Sequence, residues 1–400
     1  MLYAVSGAQC IGAIFFTAAA LAPTGASALD LKPELKLELA YDDNVGETEH
    51  GTGDFLWIIA PSVGVARPGR VTTWQAWARR NVRLYSRLTS FSTTSDAVSA
   101  RVAYTPSVQT SASADFKFRE SGDVFDPDQG SVLFPSIHRT GVGTAHLTLT
   151  GLETSGQIEA WDYSRVDLSD ATTRRFALTL LPTRSRTTAG LISFRVMEMD
   201  FNGNQGLGSN VARLGFRRRH TTAIASQLEL GGALVDYHDG TSKTAQPAIA
   251  ARVVLYGRGP GEPVIAEASL ERDATTTLTA MLRKRLPIGT ATASWETGLE
   301  AEGGYYAHPV TARRLSFALV DTLGSRTTIS MEGSFGSTLP FHAPGLRADN
   351  FRAAATLSAP LLSWVTGQAG YLFVEQTDPN RPVALNYRRS RIFVSLTAGF

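Results

Sequence analysis

The chain has 400 residues, of which 43% are hydrophobic and 18% charged, and its formal net charge is +2. A disordered chain carries less apolar material, and a nucleic-acid-binding protein concentrates its basic residues in a patch, whereas the arginines of this chain are dispersed. A bundle of membrane-spanning helices would show repeated apolar runs of roughly 20 residues, and only the N-terminal segment contains one that is similar. Composition leaves several soluble domains or one large barrel as alternatives, with no nucleic acid as a partner.

The N-terminal segment has the features of a secretory signal peptide. Residues 11–22 are apolar over the length of a signal-peptide core, and Ala26-Ser27-Ala28 follow at the positions that signal peptidase reads. We predict a signal peptide over residues 1–28 and a mature domain over residues 29–400. Cleavage there removes Cys10, the only cysteine, so the mature domain would form no disulfide and no cysteine metal site.

Most of the predicted mature domain alternates apolar and polar residues. Because successive side chains of a strand point to opposite faces, each alternating segment predicts a β-strand with one apolar and one polar face. No sustained stretch has apolar residues at the helical spacings of three and four. Examples are Leu35, Leu37, Leu39 and Tyr41 near the start, Val98, Ala100, Val102 and Tyr104, then Ile192, Phe194 and Val196, and Leu315, Phe317 and Leu319 further along.

The connections between these segments alternate in length. Short turns with Pro or Gly are predicted at Arg67–Arg70, Thr105–Ser107 and Ser358–Pro360, for example, and long polar loops at Asp42–Asp54 and Arg119–Arg139. Short periplasmic turns and long extracellular loops are typical of outer-membrane barrels. The sequence therefore predicts an all-β fold, a transmembrane antiparallel up-and-down β-barrel of about 18–20 strands.

The alternative is a soluble all-β protein, such as tandem sandwiches or a solenoid, whose polar face would look outward. The last segment favours the spanning barrel, because Ile392, Val394, Leu396 and the terminal Phe400 form one apolar face opposite Arg391. An aromatic last residue on such a strand resembles the signal that the barrel-assembly machinery recognises. We therefore predict that machinery and outer-membrane lipid as partners, and the outer membrane of a Gram-negative bacterium as the location.

The polar faces of the predicted strands would line the barrel interior. A barrel of roughly 16 or more strands encloses an aqueous lumen, and on these faces basic residues outnumber acidic ones. Such a lining favours anions or anionic polymers, although the arginines could instead pair with carboxylates and simply fill the barrel. The arginines predicted to set selectivity are Arg79, Arg83, Arg101, Arg195, Arg213, Arg217, Arg252, Arg314, Arg352 and Arg391.

One arginine breaks this pattern. Arg80 falls on the predicted lipid face between Ala78 and Val82. A bulge or the end of a strand is the expected explanation, because either would turn the side chain away from lipid.

Motifs for catalysis and for cofactors are missing from the sequence. The seven histidines form no zinc-type pair, and there is no Gly-x-Ser-x-Gly elbow, P-loop or dinucleotide fingerprint. We predict no enzyme, no cofactor and no metal site. Asp126–Gly130 is an incomplete calcium-loop pattern that turn chemistry also explains. Asp236–Asp239 reads Asp-Tyr-His-Asp, an acid and base that a barrel hydrolase could use, although a solvated loop is the simpler interpretation.

The segment after the predicted signal carries a family resemblance. Residues 37–45 read LELAYDDNV and residues 54–63 read DFLWIIAPSV. A first strand that ends in this motif, a polar loop, a strand that reaches a proline and a hairpin that ends at Tyr85 resemble the β-barrel porin 2 type of outer-membrane protein. Many members of that family are encoded with exopolysaccharide synthesis and secretion genes. The resemblance implies a conduit that lets the polymer out, with periplasmic polysaccharide-export proteins as partners, and it implies no catalytic residues.

The main hypothesis is therefore an outer-membrane channel that exports an acidic exopolysaccharide through a water-filled, arginine-rich lumen. Two alternatives stay open at this point. One is a general or anion-selective diffusion porin, and the other is an outer-membrane barrel hydrolase that works at its outer rim.

Overall fold

The structure is a computed structural model of the whole chain, and the described residues form one antiparallel sheet of 20 strands. They are residues 30–45, 51–121, 138–164, 168–182, 185, 187–202, 206–237, 243–258, 263–272, 276–285, 289–300, 310–323, 326–340, 347–378 and 386–400. The predicted signal peptide lies outside the described residues.

Every strand follows the previous one in an up-and-down order. The strands are β1 Asp30–Asp42, β2 Asp54–Arg67, β3 Thr72–Tyr85, β4 Thr93–Ser107, β5 Thr110–Ser121, β6 His138–Leu149, β7 Leu152–Tyr163, β8 Ala171–Leu180, β9 Thr188–Phe201, β10 Leu207–Arg219, β11 Ile224–Tyr237, β12 Thr244–Arg258, β13 Pro263–Arg272, β14 Thr276–Arg285, β15 Gly289–Glu300, β16 Val310–Leu323, β17 Thr327–Pro340, β18 Ala348–Leu362, β19 Val365–Thr377 and β20 Tyr387–Gly399.

The sheet closes on itself because β1 pairs with both β2 and β20. Closure gives every strand a hydrogen-bonding neighbour on both sides, which is the condition for strands to cross the hydrocarbon core of a bilayer. Among the described residues, helix is confined to the short 3₁₀ turn Thr89–Phe91, and no described helix is long and apolar enough to span a membrane. The predicted fold class and strand number are confirmed.

The two ends of the barrel differ. At the end that holds the start of β1, which we call the turn end, the connections are mostly short, and Gly151 in the β6–β7 turn adopts a φ of 82° that favours glycine. The opposite end, the loop end, holds the connections after β1, β3 and each further odd-numbered strand, including the longest one between β5 and β6. This arrangement matches the predicted alternation in connection length.

Two of the predicted turns are misplaced. Thr105–Ser107 lies within β4 and Ser358–Pro360 within β18, and the chain turns a few residues later, at 108–109 and 363–364. Both strands carry a break in ladder register beside the proline, between Tyr104 and Ser107 and between Pro360 and Leu362. A bulge accommodates a residue without an N–H donor inside a strand, so these prolines mark bulges.

The outer face of the barrel is apolar along its strands. Leu37 and Leu39 on β1 are 44% and 39% exposed, and Ile392 and Val394 on β20 are 60% and 59% exposed. Full exposure of such a side chain to water costs roughly 1.5–3 kcal/mol and partial exposure a share of that, whereas acyl chains accept them. The apolar face predicted for the last strand, which also includes Leu396 and Phe400, therefore points outward.

Apolar side chains also pack inside the barrel near the loop end. A large cluster joins the interior faces of β7 to β12 with β16, and a smaller one joins β1, β2, β3 and β20. The large cluster includes Trp161, Met199, Leu207, Val235 and Val310, and the smaller one Ala40, Leu56, Tyr85 and Phe393. These clusters make part of the interior apolar at the loop end.

The motif Tyr-Asp-Asp-Asn-Val holds the seam between β1 and β20. The Asp42 carboxylate is fully buried and accepts hydrogen bonds from Arg389 (Nη2 2.7 Å) and Arg391 (Nη2 3.0 Å) on β20. The next residue, Asp43, accepts a hydrogen bond from the backbone N–H of Ser390 at 2.6 Å, and Asn44 donates one to the carbonyl of Arg388 at 2.8 Å. The residues that carry the family resemblance therefore close the barrel.

Arg80 lies on the outer face, as its position in the sequence predicts, but without the predicted bulge. The β3–β4 ladder runs through it without a shift in register, and Arg80 pairs directly with Asp96 on β4. The guanidinium donates to both carboxylate oxygens at 2.8 and 2.9 Å. A cross-strand ion pair, rather than a bulge, accounts for this arginine.

Candidate permeation path in the barrel interior

The ladder registers place all ten arginines predicted for the lumen on the inner face of the barrel. This face is the one opposite the exposed apolar residues, and cross-strand partners connect it around the whole sheet. The ten are Arg79, Arg83, Arg101, Arg195, Arg213, Arg217, Arg252, Arg314, Arg352 and Arg391. Their surroundings differ, and they divide the interior into walls of different electrostatic character.

Strands β3, β4 and β5 carry a line of basic residues that we call the basic track. It starts near the turn end with Arg101, continues with Lys117, reaches Arg79 and Arg119 at one level, and ends with Arg83 near the loop end. Successive members differ in height, so the track follows the direction of the pore. A solute that moves through the barrel would therefore pass positive charge over most of the wall's height.

Some carboxylates lie near the basic track. Glu38 and Glu159 border cavities together with its arginines. Asp115 lies opposite Arg101 on β5, with its Oδ1 3.4 Å from Nε of that arginine. Both side chains are partly exposed, at 28% and 56%. The pair is weakly coupled because both groups are solvated, and at this level Asp115 offsets part of the positive charge of Arg101.

On the inner face of β6 to β13, arginines contact carboxylates and amides at close range. Arg217 donates from Nε to Gln227 Oε1 at 3.0 Å, and its Nη1 lies 3.7 Å from Glu153 Oε1. Arg252 donates from Nε to Glu267 Oε1 at 2.7 Å. These side chains border a cavity of about 500 Å³. Positive and negative charges are interspersed on this wall, so its net field is weaker than that of the basic track.

Glu271 on β13 connects strands that are far apart in the sheet. Its carboxylate accepts hydrogen bonds from Arg213 on β10 at 2.5 Å and from Arg195 on β9. Since β9 and β13 are four positions apart in the sheet, the side chains can only meet where the wall curves sharply inward. This contact narrows the interior, and the single carboxylate offsets one of the two positive charges of these predicted selectivity arginines.

The remaining predicted arginines fall into two environments. Arg314 on β16 and Arg352 on β18 border a cavity of about 290 Å³ together with Glu332, which leaves them near open interior space. Arg391 is 3% exposed because it is held by Asp42 at the seam. Arg391 therefore faces a carboxylate rather than the lumen.

The sequence pattern alone missed several interior groups, among them Arg119 and Glu271. Arg119 is the first residue of the long loop predicted at Arg119–Arg139, but β5 continues to Ser121 and places Arg119 at the level of Arg79 on the wall. Arg119 lies two residues after Lys117, and this spacing predicts that both side chains share one face of a strand. Glu271 carries no such signal, because its partners are 58 and 76 residues away in the chain.

The described residues contain no group of three or more His, Cys, Asp or Glu side chains that could hold a metal ion. The calcium-like segment Asp126–Gly130 lies outside the described residues, as do His238 and Asp239 of the candidate rim hydrolase.

Comparison with family models and with curated proteins finds no match. Among solved structures, the siderophore receptor PirA from Pseudomonas aeruginosa is 9% identical over 94% of this chain and 81% of its own, with a TM-score of 0.48. OccK1 (OpdK) from the same organism is 11% identical over 93% and 99%, with a TM-score of 0.42. OccAB4 from Acinetobacter baumannii is 10% identical over 95% and 100%, with a TM-score of 0.42. Likenesses this low carry no argument about function.

The class of the protein follows from its own geometry. A closed 20-stranded barrel with an apolar outer face and a polar, arginine-rich inner face is a transmembrane β-barrel. In bacteria, barrels of this kind lie in the outer membrane of Gram-negative cells, and the outer membrane is the location that this surface fits.

Proposed function

We propose that this protein is a passive outer-membrane channel whose interior prefers anions. The observation that carries the proposal is the basic track on β3 to β5, with Lys117 at one level of the wall and Arg79 and Arg119 together at the next. Charge of one sign along the low-dielectric wall of a water-filled passage raises the local concentration of counter-ions and disfavours ions of like charge. No catalytic step is needed, and the driving force is the gradient of the solute.

The solute that suits the track best is an acidic exopolysaccharide on its way out of the cell. A polymer with a negative charge at regular intervals can contact several levels of the track at once, so its attraction to the wall accumulates along the chain. The resemblance of residues 37–63 to barrels associated with polymer secretion points the same way. Periplasmic polysaccharide-export proteins would deliver the polymer, and the barrel-assembly machinery would insert the barrel through its last strand.

The second candidate is a diffusion porin for small anions, which the same track would serve. Deleting the gene separates the two. We expect an exporter mutant to retain acidic polymer in the periplasm and to secrete little of it. Normal polymer secretion combined with slower uptake of small anions would favour the diffusion porin instead. Genes for polymer synthesis beside this gene would support the exporter.

The anion preference itself is tested by removing charge from the track. Replacing Arg79, Arg83 and Arg101 with glutamine should lower the anion-to-cation permeability ratio by about fivefold, which corresponds to about 1 kcal/mol of lost ion attraction, and replacing them with glutamate should reverse the preference. The measurement is the reversal potential in a planar bilayer under a KCl gradient.

A matched control uses three arginines of the outer face. Arg80, Arg139 and Arg174 replaced with glutamine change the net charge by the same amount outside the lumen, and the reversal potential should stay at the wild-type value. An unchanged reversal potential in the track variants, with circular dichroism showing folded protein, would defeat the proposal.

A further inference from the structure

The inner face of β7 and β10 to β13 carries a compact group of paired polar side chains that the anion preference does not use. We call it the paired wall. Its six members are Glu153, Arg217, Gln227, Glu229, Arg252 and Glu267, and all six border the cavity of about 500 Å³. Three of its side chains are carboxylates and two are guanidinium groups, so the wall offers acceptors and donors in similar number.

Neighbouring side chains hold each of these groups in place. Glu229 is 2% exposed and accepts hydrogen bonds from Ser193 and Gln227, while the Gln227 carbonyl accepts from Arg217 Nε at 3.0 Å. This chain fixes Arg217 at the cavity surface, where 43% of its side chain stays exposed. The arrangement is preorganised, so little side-chain entropy would be lost when a ligand binds to it.

The second pair, Arg252 and Glu267, faces the same cavity with spare hydrogen-bonding capacity. The bond from Arg252 Nε to Glu267 Oε1 uses one of five guanidinium donors and one of about four acceptor sites on the carboxylate. The two side chains are 51% and 26% exposed. Donors and acceptors therefore remain available side by side at the cavity surface.

We propose that the paired wall is a binding site for sugar units, recognised through their ring hydroxyls. A hydroxyl donates one hydrogen bond and accepts others, so adjacent guanidinium and carboxylate groups satisfy it in both roles. A small inorganic anion gains little here because each arginine already faces an acceptor. The cavity volume lies within the roughly 300–1,000 Å³ typical of small-molecule sites.

This inference rests on the proposed function, because the sugar must reach the lumen. It adds that two different surfaces of the interior bind two different parts of the polymer. The basic track attracts the acidic groups of a polymer, and the paired wall holds its hydroxyl groups. A neutral oligosaccharide isolates the second contribution, since it has hydroxyls and no charge.

The test measures binding of maltohexaose, a neutral probe, to the purified full-length barrel. Wild-type protein in a planar bilayer should show ion current interrupted in proportion to the maltohexaose concentration, and titration calorimetry in detergent should give the same affinity. The double variant Arg252→Gln with Glu267→Gln keeps the net charge and replaces both charged groups with amides. It should bind at least about tenfold more weakly, because charge-assisted hydrogen bonds are lost.

The matched control is Arg80→Gln with Asp96→Asn. It removes an ion pair that lies on the outer face and has similar N–O distances. Its affinity for maltohexaose should equal that of the wild type. A conducting wild-type barrel that does not bind maltohexaose, or an unchanged affinity in the inner double variant, overturns this inference and leaves the proposed channel intact. A barrel that binds the sugar in detergent but conducts no ions overturns the proposed function instead.

Discussion

Glu271 lowers the positive charge of the interior wall formed by β9 to β13. It contacts both Arg195 and Arg213, and Arg213 has no exposed side-chain surface. A buried guanidinium without a carboxylate partner is strongly unfavourable, so Glu271 stabilises the inward curve of β9 to β13 while it cancels positive charge. The same residue therefore limits both the width and the anion preference of the lumen.

Replacing Glu271 with glutamine should raise the anion-to-cation permeability ratio by a factor of about 2 to 5, because one negative charge leaves the lumen. The upper value corresponds to about 1 kcal/mol, the interaction energy of two unit charges 4 Å apart in water. Single-channel conductance should also rise if Arg195 moves away from the place where its contact with Glu271 narrows the interior. Reversal potential and unitary current in a planar bilayer measure both effects. Glu375→Gln, which removes an outer-face carboxylate that pairs with Arg388 at 2.9 Å, is the control and should change neither. A lower anion preference in Glu271→Gln would contradict this role.

Among the elements, the seam between β1 and β20 holds a buried group of one carboxylate and two guanidinium side chains. It joins the first and last strands, so its formation must bring together segments about 350 residues apart in the chain, such as Asp42 and Arg391. The ladder supplies backbone hydrogen bonds along the whole seam, and the buried carboxylate adds register, because a shift would separate Asp42 from both guanidinium groups.

Asp42→Asn should lower the free energy of unfolding by about 3 kcal/mol or more, because it leaves two buried arginines without their carboxylate. The neighbouring Asp43→Asn is the matched control. Its side chain is exposed and hydrogen-bonds Ser390, so the expected cost is about 1 kcal/mol or less. Urea unfolding in detergent micelles, followed by tryptophan fluorescence, compares the two variants. Equal effects of the two substitutions would contradict a structural role for the motif at the seam.

Local pattern was sufficient to predict the strands, and it failed where a residue has more than one structural use. Alternation identifies strands such as β16 because side-chain direction depends only on adjacent residues. Pro106 and Pro360 indicated turns, yet they lie at bulges, since a missing N–H donor is tolerated in either place. Arg80 indicated a bulge, yet its partner Asp96 is on the next strand, which the register alone determines.

At the scale of the whole molecule, the sequence also predicted which residues share the inner face, but not which of them meet. Two faces follow from a period of two, so the ten interior arginines could be assigned strand by strand. Contacts such as Arg195 with Glu271 depend on how strongly the barrel curves, which is a property of all 20 strands together. The division into a basic track and a paired wall therefore becomes visible only in three dimensions.

A membrane-spanning barrel requires that the outer face of each strand lies in lipid and that the inner face lies in water. Cysteine substitution tests it on β16, in a background with Cys10 replaced by serine. Leu315 and Phe317 point outward and are 52% and 51% exposed, whereas Ser316 and Ala318 point inward and are less exposed.

The decisive measurement is the labelling rate of each single cysteine by a charged, membrane-impermeant thiol reagent after reconstitution into liposomes. We expect fast labelling at positions 316 and 318 and slow labelling at 315 and 317, because acyl chains cover the more exposed side chains. Faster labelling at 315 and 317, the order that exposure to water alone would give, would contradict it.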